Sequence, residues 1–338
     1  MIAKAHPRLC RSRSACVSVV LALCVLCVPF EASCAEYIRV CSFNIAEFGE
    51  GDHHLTRDLP FIAKMLYEAD LDLIALQEVG VRPQGESQVA ELRKELNKLV
   101  PAGEAKYFYV VTPQSGDERC AVIYRFPVVQ DEGIWWLDND KVSGSPEQGG
   151  ERYFRVPVGL MFHAGEFDFV LFIVHLTWGK LDRRLSEIAD LREELRYPDD
   201  EKDWIVLGDM NRYGRYSKSS AKAFDQLLQD SDWNGFYRFP LLEAVTDPDD
   251  MKVYRAEKDE YSTTIAESKN LYDQFILTAG LETEFEPDDP KFGEDVGIIA
   301  FDMQEPYASM SDDNAVKYSV SDHRPVWIRL RYDVGDDD

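Results

Sequence analysis

The sequence predicts one sheet-rich domain of the α/β or α+β class, and three observations carry that reading. Short apolar runs of strand length recur along the whole chain, and helical spacing of apolar residues fills some of the gaps between them. No repeat, low-complexity block or Pro/Ser-rich linker interrupts residues 36–331. A content of 45% hydrophobic and 12% aromatic residues in 338 can bury a large core and excludes a disordered chain.

The strand-like runs are Ile38 to Phe43, Leu71 to Leu76, Tyr107 to Val111, Ala121 to Tyr124, Phe169 to Val174, Trp204 to Leu207, Gln274 to Leu277 and Val326 to Leu330. Amphipathic helices are expected where apolar residues repeat every three to four positions. These are Leu59, Ile62, Ala63 and Leu66, then Val89, Leu92, Leu96 and Leu99, then Leu185, Ile188, Ala189 and Leu195. The acidic tail 332–338 ends in three aspartates and is expected to fray.

Residues 1–35 read differently. Lys4, Arg8, Arg11 and Arg13 precede an apolar run from Ala15 to Phe30, and small residues follow at Ser33 to Ala35. That is the layout of a signal peptide, which implies a secreted or periplasmic bacterial protein. A membrane-spanning helix is the alternative, but the run falls short of the roughly 20 apolar residues a bilayer needs. Acylation of Cys34 is a further alternative, to which Glu31 and Ser33 are poorly suited. Cys41 and Cys120 are the cysteines that remain after residue 35, so the domain is not a disulfide scaffold. They either pair or serve as small core residues.

The formal charge is −25, and residues 1–35 hold four bases against Glu31, so the remainder is more acidic still. A phosphate-rich ligand would have to be met by local basic residues or bound cations, against a repelling long-range field. The same excess of carboxylate keeps an exported protein soluble.

Polar residues collect where strand-like runs end. Asn44 ends the first, Gln77 and Glu78 the second, and His175 follows Val174. Gly208, Asp209 and Asn211 follow Leu207, Asp273 opens the next run, and Ser321, Asp322 and His323 precede the last. A rigid sheet positions such groups while loops leave them accessible. Singly, each has an ordinary explanation as a turn, loop start or helix cap. Jointly, Glu78, Asn44 and Asp322 offer hard oxygens to a divalent cation. His175 and His323 supply proton transfer, and phosphodiester cleavage needs both kinds of group.

These residues sit in stretches that resemble the endonuclease/exonuclease/phosphatase superfamily, and within it deoxyribonuclease I. The stretches are Val40-Cys41-Ser42-Phe43-Asn44-Ile45, Ile74-Ala75-Leu76-Gln77-Glu78-Val79, Glu118-Arg119, Arg155-Val156-Pro157, Val174-His175-Leu176, Gly208-Asp209-Met210-Asn211, Tyr272-Asp273 and Ser321-Asp322-His323-Arg324-Pro325-Val326. The resemblance implies an α+β fold, a four-layer α/β/β/α sandwich with the site at one edge. It implies that Glu78, Asn44 and Asp322 seat Mg²⁺ or Mn²⁺. His175 paired with Glu118, and His323 paired with Asp273, would act as general acid and base. Asp209 and Asn211 would orient water and phosphate oxygens, and Arg119 and Arg155 would contact phosphate. The implied activity is a metal-dependent endonuclease acting on DNA as a monomer. The alternative is a sphingomyelinase-like or other lipid or small-molecule phosphodiesterase or phosphatase on the same fold, for which Trp135-Trp136 could form a membrane-binding surface.

The chain departs from deoxyribonuclease I in ways that bear on substrate. Gly80 stands where that nuclease has a minor-groove arginine, with Arg82 nearby, and Gly116 stands where it has a minor-groove tyrosine. No cysteine follows Cys120, so the small disulfide loop is absent. Ser262 replaces an aspartate of the structural Ca²⁺ loop, so added Ca²⁺ is expected to matter less.

Overall fold

The computed structural model describes residues 36–51, 56–136, 153–195, 203–212, 238–245, 262–265, 271–287 and 290–334. The proposed signal peptide therefore lies outside the described residues. Among them, eleven strands form two sheets. The strands are β1 (Tyr37–Phe48), β2 (Leu73–Val79), β3 (Lys106–Val111), β4 (Arg119–Phe126), β5 (Gln130–Trp136), β6 (Val158–Ala164), β7 (Phe167–His175), β8 (Trp204–Asp209), β9 (Asp273–Leu277), β10 (Val296–Ile298) and β11 (Val326–Arg331). One sheet has the order β10-β11-β1-β2-β4-β3 and the other β5-β6-β7-β8-β9. Helices α1 (Leu59–Glu68), α2 (Pro83–Leu99), α3 (Leu181–Leu195), α4 (Pro240–Val245) and α5 (Asp313–Ser319) complete the elements used below.

Alternation along the strands separates the layers. Val40, Leu73 and Val122 from the first sheet meet Leu160, Phe169, Leu171, Ile205 and Phe275 from the second in one buried cluster. On the outer face of the first sheet, Phe43, Ile74 and Leu76 pack against Ile62 and Leu66 of α1 and Val89, Leu92 and Leu96 of α2. On the outer face of the second, Val170, Phe172 and Val206 pack against Ile188 and Leu191 of α3. This is the α/β/β/α sandwich. Cys41 and Cys120 are both free and buried. They belong to clusters on opposite faces of the first sheet, which answers the pairing question with two core thiols.

Each sheet contains one parallel pair, β1 with β2 and β7 with β8. The carboxyl ends of these pairs carry Asn44 opposite Gln77 and His175 opposite Asp209, while antiparallel β9 places Asp273 opposite Asp209. The site thus forms where both parallel pairs end.

All eight expected strands are present, and the three helical repeats fall in α1, α2 and α3. Strands β5, β6 and β10 were not foreseen. β5 begins with Gln130-Asp131-Glu132 and is bulged between Asp131 and Gly133, which hides its period. The tail is tied down further than expected: Tyr332 N–H donates to Glu36 O at 3.1 Å and Arg331 pairs with Asp333 at 2.9 Å, while 335–338 lie outside the described residues. No helix among the described residues is long and apolar enough to cross a membrane.

Candidate active site

Irregular backbone delivers the polar groups. The β1–β2 ladder shifts register between Asn44 and Phe48, with Ala46 at φ 53° and Glu47 at φ 48°. The β2–β4 ladder shifts between Leu76 and Val79, with Glu78 at φ 59°, and Asn211 after β8 has φ 47°. Among the described residues, four of the five non-glycine residues in the left-handed region therefore border the site. Such conformations cost on the order of 1–3 kcal/mol each and persist where surrounding structure enforces them. Gly208 has φ +143°, and a Cβ there would lie 1.8 Å from Val174 O, so only glycine lets β8 run this close beside His175.

Asp209 is the hub. Its Oδ2 lies 3.6 Å from Nε2 of His175, 3.7 Å from Nε2 of His323 and 3.2 Å from the Asn44 amide nitrogen, while Oδ1 accepts from Asn211 N–H at 2.8 Å. Each histidine is backed by its own carboxylate. His175 Nδ1 meets Glu118 Oε1 at 2.8 Å and His323 Nδ1 meets Asp273 Oδ2 at 2.8 Å. With Nδ1–H committed to a carboxylate, each imidazole keeps Nε2 for the cleft. Glu78 Oε1 is 4.0 Å from His175 Nε2 and accepts from the Asn44 amide at 2.8 Å; its Oε2 accepts from Glu47 N–H at 3.0 Å.

These neighbours set the proton affinities. Burial works against charging His175, but Glu118 and then Asp209 outweigh it and raise the imidazole to about 9. His323 rises to about 10 because Asp273 and Asp209 again overcome burial. Burial would raise the Glu78 carboxyl, yet His175, the Asn44 amide and His323 hold it down at about 2. Asp273 is pushed up by burial, partly offset by the neighbouring His323, so the two groups titrate as a pair.

The structure brings Glu118, His175, His323, Asp209, Asp273, Asn211, Asn44 and Glu78 together. Asn44 is turned so that its oxygen accepts from Ala46 N–H at 3.0 Å and its nitrogen faces Glu78 and Asp209. In this orientation it holds the carboxylates in place and offers no oxygen to a cation. Asp322 pairs with Lys317 Nζ at 2.9 Å. Asn211 Nδ2 donates to Leu176 O at 2.8 Å, bracing the turn after His175. Arg155 lies 2.9 Å from Glu118 Oε2 and also binds Asp117, so it backs the Glu118–His175 pair. Arg119 is turned away: its guanidinium donates to Gly80 O and Arg82 O and shapes the loop after β2.

Two supports extend beyond what the sequence conveyed: the role of Ser321, which the sequence marked only by position, and Arg57, which it did not mark. Ser321 Oγ donates to Asn44 O at 2.7 Å and accepts from His323 N–H at 3.0 Å, stitching β1 to the Ser-Asp-His turn. Buried Arg57 donates to Lys317 O at 3.0 Å, to Val320 O at 2.7 Å and to Ala46 O beneath the same turn. Neither has a periodic signature; the Ser321-Asp322-His323 run marked the first, and no sequence signal marked Arg57. At the altered Ca²⁺ loop, Ser262 Oγ donates to Thr264 O at 2.8 Å, and no carboxylate cluster forms there among the described residues.

The donor set fits a hard divalent cation. Glu78, Asp209, Asp273 and Asp322 supply oxygen, His323 nitrogen, and the thiols of Cys41 and Cys120 are buried among apolar side chains. Ligand atoms of Asp209, Asp273 and His323 lie within 4.8 Å of one another. Glu78 lies beside them through Asn44 and His175.

Residues 41–323 match the endonuclease/exonuclease/phosphatase family. The chain belongs to that family. Rat deoxyribonuclease gamma is 24% identical to this family member over 298 residues, covering 87% of this chain and 84% of the rat protein. A crystal structure of an endonuclease/exonuclease/phosphatase family protein from Bacteroides thetaiotaomicron superposes with a TM-score of 0.54 at 16% identity, covering 89% of this chain and 99% of that one. D. rerio TDP2, complexed with a single strand DNA product, superposes with a TM-score of 0.53 at 10% identity, covering 87% and 98%. These structures share the sandwich fold described above, and a shared fold does not by itself fix the chemistry.

Proposed function

We propose that this family member is an exported, metal-dependent phosphodiesterase that hydrolyses DNA internally. The observation that carries the reading is the convergence of two carboxylate-backed imidazoles, His175 and His323, on one oxygen of Asp209 beside Glu78. Similarity to deoxyribonuclease gamma across most of both chains supports nucleic acid as the substrate.

A phosphodiester bridging the two Nε2 atoms would have a proton carrier on each side of phosphorus, one to accept the proton of the attacking water and one to protonate the leaving oxygen. Glu118 and Asp273 fix tautomer and ring orientation and stabilise each imidazolium as it forms. Asp209, held by Asn44 and Asn211, orients the nucleophile between them. Glu78, with Asp209 and Asp322, would hold Mg²⁺ or Mn²⁺, which neutralises charge on the phosphoryl oxygens when bound. Placing the cation at Glu78 leaves His323 as a proton carrier; placing it on Asp209, Asp273 and His323 would remove that role.

Nicking of supercoiled plasmid by residues 36–338 tests the reading, with Mg²⁺, Mn²⁺ or chelator, beside His175→Ala. Metal-dependent nicking absent from the variant is expected. Absence of nicking with any metal would count against DNA and turn the search to lipid or small phosphodiesters.

A further inference from the structure

Trp178 is 67% exposed, the most exposed of the large hydrophobic side chains among the described residues. It follows His175 by three positions, a span of at most about 10 Å. No ring contact or hydrogen bond to the indole occurs among the described residues.

The loop bearing it is nonetheless held firmly. Glu187 and Arg184 of α3 are each 1% exposed. Glu187 accepts from Thr177 N–H at 2.7 Å, Thr177 Oγ1 at 2.6 Å and Phe154 N–H at 3.1 Å. Arg184 donates to Thr177 O at 3.0 Å. Burying an acid and a base is costly unless their hydrogen bonds are satisfied, and here those bonds go to the loops that carry Trp178 and Phe154. Phe154 is 37% exposed, with the guanidinium of Arg155 5.0 Å and that of Arg183 5.8 Å from its ring centre. Arg155 in turn touches Glu118. The loops that carry Trp178 and Phe154 are thus tied to the same buried Glu187, and Arg155 links Phe154 to Glu118 on the His175 side of the site.

The two positions where deoxyribonuclease I carries minor-groove side chains are bare. Gly116 has φ +61°, and a Cβ there would meet Phe154 O at 2.7 Å; one at Gly80 would meet the Glu50 carboxylate at 2.6 Å, which Val81 N–H holds at 3.0 Å. No side chain projects from either position toward a groove. Aromatic surface of this kind takes an exposed π-face, and in a duplex the faces of bases are hidden in the stack. A lipid surface is disfavoured by the strongly acidic chain and by the flanking arginines being turned to Phe154 and inward carboxylates.

We propose that Trp178, supported by Phe154, is a stacking subsite for an unpaired nucleobase next to the scissile phosphate, so that the chain prefers single-stranded or locally unpaired nucleic acid to duplex. This rests on the phosphodiesterase reading of the same site and adds to it the form of the substrate.

The test compares kcat/KM of wild type, Trp178→Ala and Trp178→Phe on a single-stranded oligonucleotide, its duplex, and methyl p-nitrophenyl phosphate, which carries no nucleobase. Wild type is expected to favour the single strand over the duplex. Trp178→Ala should lower the ratio of single-strand to small-phosphodiester activity about tenfold, about 1.4 kcal/mol, mainly through KM, and Trp178→Phe should restore it. Oligothymidylate added in chelator should quench wild-type tryptophan fluorescence more than that of Trp178→Phe. An unchanged ratio in Trp178→Ala overturns the stacking subsite while leaving the phosphodiesterase intact. Trp178-dependent binding to phosphatidylcholine vesicles, with no effect on oligonucleotides, replaces it with a lipid surface. A wild type inert on methyl p-nitrophenyl phosphate and on both oligonucleotides brings down the underlying reading as well.

Discussion

His175, at the end of β7, and His323, in the turn before β11, direct their Nε2 atoms at the same oxygen, Oδ2 of Asp209, from 3.6 and 3.7 Å. Everything else at the site holds that arrangement in place, and it yields predictions that can be separated experimentally.

Glu118 acts through His175, so Glu118→Gln should preserve the fold and lower kcat by about 10²–10⁴ with little change in KM. The neutral amide can still accept from Nδ1–H but no longer stabilises imidazolium. Steady-state kinetics with circular dichroism as a folding control checks this. A matching loss of secondary structure would assign Glu118 a merely structural role.

The metal-free protein should lose stability on the alkaline side. His175 is raised from 6.5 to about 9 by Glu118 and Asp209 against burial. Its contribution is therefore fully present below pH 6.5, declines as pH rises and is gone above about 9. Urea unfolding in chelator at pH 6, 8 and 10 should show that decline, and Glu118→Gln should flatten it. Glu78 has the opposite sign: lowered to about 2, it contributes above pH 4.5 and is lost as pH falls toward 2.

Cation binding should depend on two residues in opposite directions. Glu78→Gln should weaken Mn²⁺ binding, and Lys317→Met should tighten it, because the Lys317 ammonium sits 2.9 Å from Asp322 and competes for that carboxylate. Titration calorimetry reads both. Saturating cation should raise unfolding stability by about 2.7 kcal/mol at a hundredfold excess over Kd, and Glu78→Gln should lose most of that gain.

Gly208→Ala should destabilise the domain by about 3 kcal/mol, since the new Cβ would meet Val174 O at 1.8 Å from an unfavourable φ of +143°. Chemical denaturation measures it. A change within about 0.5 kcal/mol would mean that β7 and β8 can separate freely at the site.

The sheets were legible because buried strands such as Ile38 to Phe43 and Phe169 to Val174 are continuous apolar runs that stop at polar residues. The same stops marked Asn44, Glu78, His175 and Asp209. Supports were harder to read because they arise from bulges and tertiary pairing. The left-handed turn at Ala46 and Glu47, the bulge at Glu78 and the Arg57 anchor have no local sequence pattern. Arg119 and Arg155 illustrate the limit: two arginines beside a phosphate site look alike in sequence, yet one binds backbone carbonyls and the other Glu118. Trp178 has no sequence pattern of its own, and its exposure beside His175 is what sets it apart.

The most direct test of the central claim is the turnover of plasmid by His175→Ala, His323→Ala and the doubly substituted protein under saturating Mg²⁺. Two groups serving one phosphorus act as a unit, so each single variant should fall nearly as far as the double. Losses that simply multiply, or a single variant that keeps near wild-type turnover, would contradict a shared acid and base at Asp209.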